Sequence, residues 1–194
     1  ILTDHLNGST SDGWLFWDAA LGEPPSEVMD MLIERPADVW HAGLKLGLMG
    51  QPELLDFVDP TWMLNRDPSS AIEASSWRLS LRACLIRTQV LLQLGGPDPN
   101  FVSLAGAGLE LGYRYITKGA FIRHDPKLVG GDVLVENVEL PLRDQLRFLQ
   151  NAFDRRWRVW AGYRAVISGY VNALDLWKAG QAVKDEKPSP VKKP

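Results

Sequence analysis

Trp14-Leu15-Phe16-Trp17 is an unbroken apolar run that stops at Asp18, with Gly13 before it and Leu21-Gly22-Glu23-Pro24-Pro25 behind. A short run of large apolar residues bounded by turn formers predicts a strand buried on both faces, the kind found in parallel sheets. Pro24-Pro25 forbids its continuation. Ser26 can then cap a helix whose apolar positions are Val28, Met29, Leu32 and Ile33. This order sets Asp18 near the carboxyl end of a central strand, at the edge where open α/β sheets bind ligands.

The rhythm continues with a second predicted strand, Ala37 to Leu44. Residues 47–76 are irregular, punctuated by Gly50, Pro52, Pro60 and Pro68. Structured loops of this length tend to be lids or binding segments. Trp62 and Met63 either anchor this one or fold over a site. Trp77 to Leu85 alternates apolar with polar or small residues, the period of a half-buried strand. Apolar positions 86, 90, 91 and 94 are spaced for a helix, which Gly95-Gly96 stops, and Pro97 to Asn100 is a turn. A short small-residue stretch, Phe101 to Gly108, leads to a predicted helix over Leu109–Lys118. Ala120 to Arg123 is a last short strand, running into His124-Asp125-Pro126.

From Arg143 onward a single stripe predicts one long amphipathic helix: Leu146, Leu149, Phe153, Trp157, Trp160, Ile167, Val171, Leu174 and Trp177. Arg143, Arg147, Arg155, Arg156, Arg158 and Arg164 accompany it. A basic, tryptophan-bearing helix of this kind either lies on an anionic membrane surface or packs on its own domain. The organisation expected is a domain over residues 1–140, a helical region over 141–180 and a Lys/Pro-rich tail or linker over 181–194.

Composition narrows the function classes. The 194 residues suffice for one core-bearing domain, and a formal net charge of -3 gives no electrostatic case for nucleic acid as partner. The lone cysteine, Cys84, excludes an internal disulfide and a cysteine-based zinc site, and its apolar setting predicts a buried, unreactive thiol. No apolar run approaches the roughly 20 residues that span a bilayer. The chain opens at Ile1, almost directly on a buried-type strand, so its natural beginning is expected to lie upstream.

Taken in succession, these pieces resemble the latter part of a family 2 glycosyltransferase of the GT-A fold. Trp14 to Ala20 with Pro24-Pro25 is similar to the family's strand and DxD motif. Ala83-Cys84-Leu85-Ile86-Arg87 and then Leu94-Gly95-Gly96-Pro97-Asp98-Pro99-Asn100-Phe101 resemble its acceptor-side segment. Ala107 to Arg114 falls where members carry a Glu-Asp pair leading to Leu and Arg, and the likeness covers about residues 10–128. The resemblance implies an α/β, mixed but mostly parallel sheet flanked by helices, without its first βαβ units, followed by the long C-terminal helix. It implies transfer of a sugar from a nucleotide-sugar donor to a glycan or lipid-linked acceptor, in the cytoplasm or at the inner face of the membrane. Mg²⁺ or Mn²⁺ would balance the charge on the departing phosphates.

The acidic motifs depart from the family pattern. Ala20 replaces the second acid of DxD, and Ala107-Gly108 replaces the Glu-Asp pair. Asp18 is then the metal candidate, or simply a strand-end turn former. Glu110 is the nearest candidate base for the acceptor hydroxyl, or the i,i+4 partner of Arg114. Asp98, Arg114 and His124 are the candidate substrate-binding residues, against structural roles as turn former, helix partner and strand-end histidine. Glu53, Asp56, Asp59 and Asp67 are further acids that could swing in. His5 and His41 have no metal-like spacing to another ligand. If the missing acids abolish chemistry, the alternative is a degenerate domain that only binds or scaffolds.

Overall fold

The computed structural model describes residues 12–42, 73–129 and 140–184. Residues 43–72, with Trp62, Met63, Glu53, Asp56, Asp59 and Asp67 of the stretch read as irregular, and residues 185–194, read as a tail or linker, lie outside the described residues, as do 1–11 and 130–139. Five strands, β1 (Gly13–Trp17), β2 (Val39–His41), β3 (Ala74–Ser75), β4 (Ala83–Arg87) and β5 (Ile122–His124), form one open sheet in the order β1-β4-β2-β5-β3. The described helices are α1 (Ser26–Ile33), α2 (Thr88–Leu94), α3 (Leu104–Thr117), α4 (Leu142–Ala152), α5 (Arg155–Ile167) and α6 (Ala173–Lys184).

The sheet is mixed, but it is not mostly parallel. β4 runs antiparallel to both its neighbours, β1 and β2; β3 is antiparallel to β5; only β2 and β5 pair in parallel. The reason is the insertion of β4. Residues 77–82 carry the chain back to the edge where β1 and β2 end, so β4 enters the sheet from there. Hydrophobic period reveals a strand but not its direction. β1 is likewise not central: it ends the strand order, and all five of its residues are half-buried.

Each face of the sheet carries a core. Val39, Cys84, Ile86 and Ile122 pack with Leu109, Leu111, Tyr115, Phe148 and Leu149 from α3 and α4. Trp40, Ala83 and Leu85 pack on the other face with Leu32 of α1 and Leu128. Arg87, at the far end of β4, closes α1. Its guanidinium donates to the carbonyls of Ile33 (2.7 Å), Arg35 (2.9 Å) and Ala37 (2.7 Å), where orphan helix-end acceptors need a cation.

The alternating segment 77–85 is a strand only from Ala83. Trp77 to Leu81 form a strap without regular secondary structure that is buried throughout, polar Arg78 and Ser80 included. The strap lies against α3 because α3 presents glycines to it. A Cβ on Gly108 would collide with the Leu79 carbonyl, and one on Gly112 with the Trp77 carbonyl. α3 also starts five residues earlier than its pattern suggests, at Leu104, because Ser103 caps it by accepting from Gly106 N at 3.0 Å. The predicted helix over 86–94 begins at Thr88, since Ile86 and Arg87 belong to β4.

The single long C-terminal helix is a misreading. Phe153 is extended, Asp154 starts a new helix by accepting from Arg156 N (2.8 Å) and Trp157 N (3.2 Å), and Gly169 turns the chain at φ 72° before α6. One stripe thus divides among three helices. Phe148 and Leu149 of α4 are in the core, while Trp157, Trp160, Ile167, Leu174 and Trp177 are exposed. No described helix is long and apolar enough to cross a membrane.

Candidate functional site

Because β4 alone reverses among the first four strands of the order, β1, β2 and β5 point the same way and end at one rim. Asp18 follows β1 there, and Arg82 precedes β4 beside it. Arg82 Nε donates to Asp18 Oδ2 at 2.7 Å, and the Arg82 carbonyl accepts from Asp18 N at 2.7 Å. Asp18 Oδ1 accepts from Ala20 N at 2.9 Å, which makes Asp18 the cap of a 3-10 turn over Ala19–Leu21. The Ala20 N–H first, and then the Arg82 guanidinium, hold the Asp18 carboxyl below the usual carboxylate range. Both side chains reach solvent, 29% exposed for Asp18 and 18% for Arg82. The rim therefore presents an ionised carboxylate and a guanidinium, positioned by backbone on both sides.

A divalent cation is poorly matched to this corner. Both Asp18 oxygens already accept a hydrogen bond, one from a cation, and a metal would have to displace Arg82 or sit beside it. Among the described residues no group of three or more His, Cys, Asp or Glu side chains is placed to hold one ion. Among the described residues, this donor set is a poor match for Mg²⁺ or Mn²⁺.

The other predicted site residues are held inward. Glu110 is buried and paired with Arg114, Nε to Oε1 at 2.9 Å and Nη2 to Oε2 at 3.2 Å. Arg114 spends its remaining donors on the turn after α2: Nη2 donates to the Gly96 carbonyl at 2.8 Å, and Nη1 to the Leu94 carbonyl. Tyr115 Oη donates to the Gly95 carbonyl at 2.8 Å. Gly95 needs its φ of 79° to make that turn, so a glycine there is required by geometry. Asp98 is buried as well. Its Oδ2 accepts from Arg147 Nη2 at 2.9 Å and Nε at 3.1 Å, and its Oδ1 from Asn100 N at 3.0 Å and Nδ2 at 2.8 Å. The i,i+4 pair is present between Glu110 and Arg114, and Asp98, besides the turn contact to Asn100, is tied to Arg147 of α4, a partner the sequence reading did not name.

His124 lies under the rim, fully buried, beside His41. Their registered positions on β5 and β2 bring the ring centroids to 5.5 Å, edge to face, and Cys84 is the next residue in the same cross-sheet row. Burial, and then the His124 ring, depress the His41 pKa to about 3; burial raises that of the Cys84 thiol. Burial thus keeps the His41 ring and the Cys84 thiol uncharged near neutral pH. Beyond β5 the chain is clamped: Arg35 Nη1 donates to buried Asp125 at 2.7 Å, and Glu73 receives Arg35 at 2.8 Å and Arg123 at 3.0 Å. Three strand spacings separate Asp18 from Asp125, about 14 Å. The two carboxylates cannot act on one atom.

Sequence reasoning missed Arg82, Arg147 and Asp144. Arg82 read as a polar position in an alternating strand. Its signal was the need of a strand-end carboxylate for a cation. Asp144 accepts from Val102 N (3.0 Å) and Ser103 N (2.8 Å) and fixes the entry to α3, a contact 42 residues apart in sequence for which no local pattern exists. Comparison of the chain with protein-family models, with curated proteins and with solved structures returned no match.

Proposed function

We propose that the Asp18–Arg82 corner binds the diphosphate of a nucleotide-sugar, and that the chain is a glycosyltransferase domain moving that sugar to a glycan or lipid-linked hydroxyl. The observation that carries this reading is the ionised Asp18 at the shared rim of three co-directional strands, with Arg82 fixed beside it at 2.7 Å. In such a transfer the acceptor hydroxyl attacks the anomeric carbon, the bond from that carbon to the diphosphate oxygen breaks, and negative charge collects on the leaving diphosphate. Arg82 supplies a planar cation suited to two phosphate oxygens. Asp18 and the Ala20 turn hold that guanidinium in place. The hydroxyl proton must pass to a base, and among the described carboxylates Glu110 and Asp98 are bound in buried ion pairs. Glu53, Asp56, Asp59 and Asp67 are the candidates that remain for that role.

Those same two ion pairs favour a second reading, a domain that binds a nucleotide-sugar or glycan without turning it over. The assay that separates them is release of nucleoside diphosphate from a panel of nucleotide-sugars. The transferase reading expects slow hydrolysis that Arg82→Ala and Asp18→Ala both abolish. No turnover with any donor, at concentrations where binding is measured, would leave the binding module.

A further inference from the structure

We infer that the outward face of α5 is a docking surface for an anionic lipid bilayer. The helix is built with its large residues on the wrong side for a core. Its buried positions are Ala161, Gly162 and Ala165, all small. Gly162 lets α6 close in, since a Cβ there would stand 3.2 Å from Leu176 Cδ2. Its outward positions recur every three or four residues and are large: Arg156, Val159 with Trp160, Tyr163 and Ile167. Trp160 is 46% exposed, Tyr163 58% and Ile167 61%. An apolar face of this size presented to water marks an interaction site.

Charge selects the occupant. The 13 residues of α5 contain four arginines and no acid, in a chain whose net charge is -3. Arg155, Arg156, Val159, Trp160 and Tyr163 line a shallow open hollow of about 700 Å³. Two guanidinium groups at the rim of an apolar, aromatic floor suit a phosphate headgroup above acyl carbons. Trp and Tyr are the side chains enriched at that depth of a bilayer, and basic residues add attraction to anionic lipid. The helix is about 20 Å long, and its aromatic face would lie in the plane of the interface. None of this depends on nucleotide binding at the rim.

The test is co-sedimentation of the full chain with vesicles of equimolar phosphatidylcholine and phosphatidylglycerol at low ionic strength, with light scattering of the protein alone. Binding is expected, weakened more than about tenfold in pure phosphatidylcholine vesicles and in the exposed double variant Arg155→Glu/Arg156→Glu. Trp160→Ser/Tyr163→Ser/Ile167→Ser should lose it to the same degree, with circular dichroism and thermal midpoint unchanged in both variants. The inference is overturned if the wild type stays in the supernatant, if either variant binds as well as the wild type, or if the face instead makes a dimer that the triple variant dissolves.

Discussion

Arg114 donates to Glu110 Oε1 at 2.9 Å and to the Gly96 carbonyl at 2.8 Å, so one buried guanidinium ties the middle of α3 to the turn that ends α2. The pair is a structural joint. Removing one partner of a buried ion pair costs about 3–5 kcal/mol, because the other charge is left uncompensated. Glu110→Ala should therefore lower unfolding free energy by about that amount in urea titration, with Glu110→Gln losing less. A base role predicts the opposite signature: lost turnover in Glu110→Gln with stability unchanged.

The strap under α3 gives a prediction from backbone alone. Gly112→Ala and Gly108→Ala place a methyl against carbonyls of the 77–79 strap, which cannot rotate away. Each should destabilise by about 1–3 kcal/mol or more. Gly180 in α6 has nothing within 4 Å of its missing Cβ. Gly180→Ala should stabilise by about 0.5–1 kcal/mol, because alanine loses less entropy in a helix. Equal effects at positions 112 and 180 would contradict the packing described.

His41 sets an acid limit well above the carboxylates. Its folded pKa, about 3, lies below the unfolded value near 6.5, so the unfolded chain binds the extra proton first. The stabilisation from burying a neutral ring is complete above pH 6.5 and declines as pH falls toward 3, with a slope of up to about 1.4 kcal/mol per pH unit. His41→Leu should flatten the stability profile between pH 7 and pH 5, measured by urea unfolding. His124 and Cys84 face the ring from the adjacent strands and remain in that variant.

Asp18 and Glu73 act lower on the scale. Hydrogen bonds depress both carboxyls, Asp18 through Ala20 and Arg82, and Glu73 through Arg35. Their contribution is present above the ordinary carboxylate pKa and is lost as pH falls through the depressed folded values. Asp18→Asn should be less stable than wild type at pH 7 and indistinguishable from it once both wild-type carboxyls are protonated. A gap that persists at the lowest pH would assign Asp18 a role other than charge.

The elements were legible where one local pattern decides them. The run ending at Asp18, the Pro24-Pro25 break and the Gly95-Gly96 stop each mark a boundary that the structure keeps, because chain stiffness and positive φ act over a few residues. Strand direction was not legible: β4 is reversed by the path of a strap whose burial depends on Gly108 and Gly112, far along the chain from the carbonyls of Leu79 and Trp77 that they face. The division of the C-terminal stripe was hidden for a related reason. Asp154 caps α5 while the apolar spacing continues across the break, so three helices read as one. At the rim the sequence marked Asp18 but not the cation beside it. Arg82 becomes its partner only when β4 pairs with β1.

The measurement that bears most directly on the rim is isothermal titration of the chain with uridine, guanosine and thymidine diphosphates, with and without Mn²⁺. With Arg82 as the phosphate ligand and Asp18 as its positioner, at least one diphosphate binds without metal. Arg82→Ala then weakens it more than about tenfold, and Asp18→Asn only a few-fold. No heat with any of the three, or binding that needs Mn²⁺ and disappears in Asp18→Asn, would contradict that assignment.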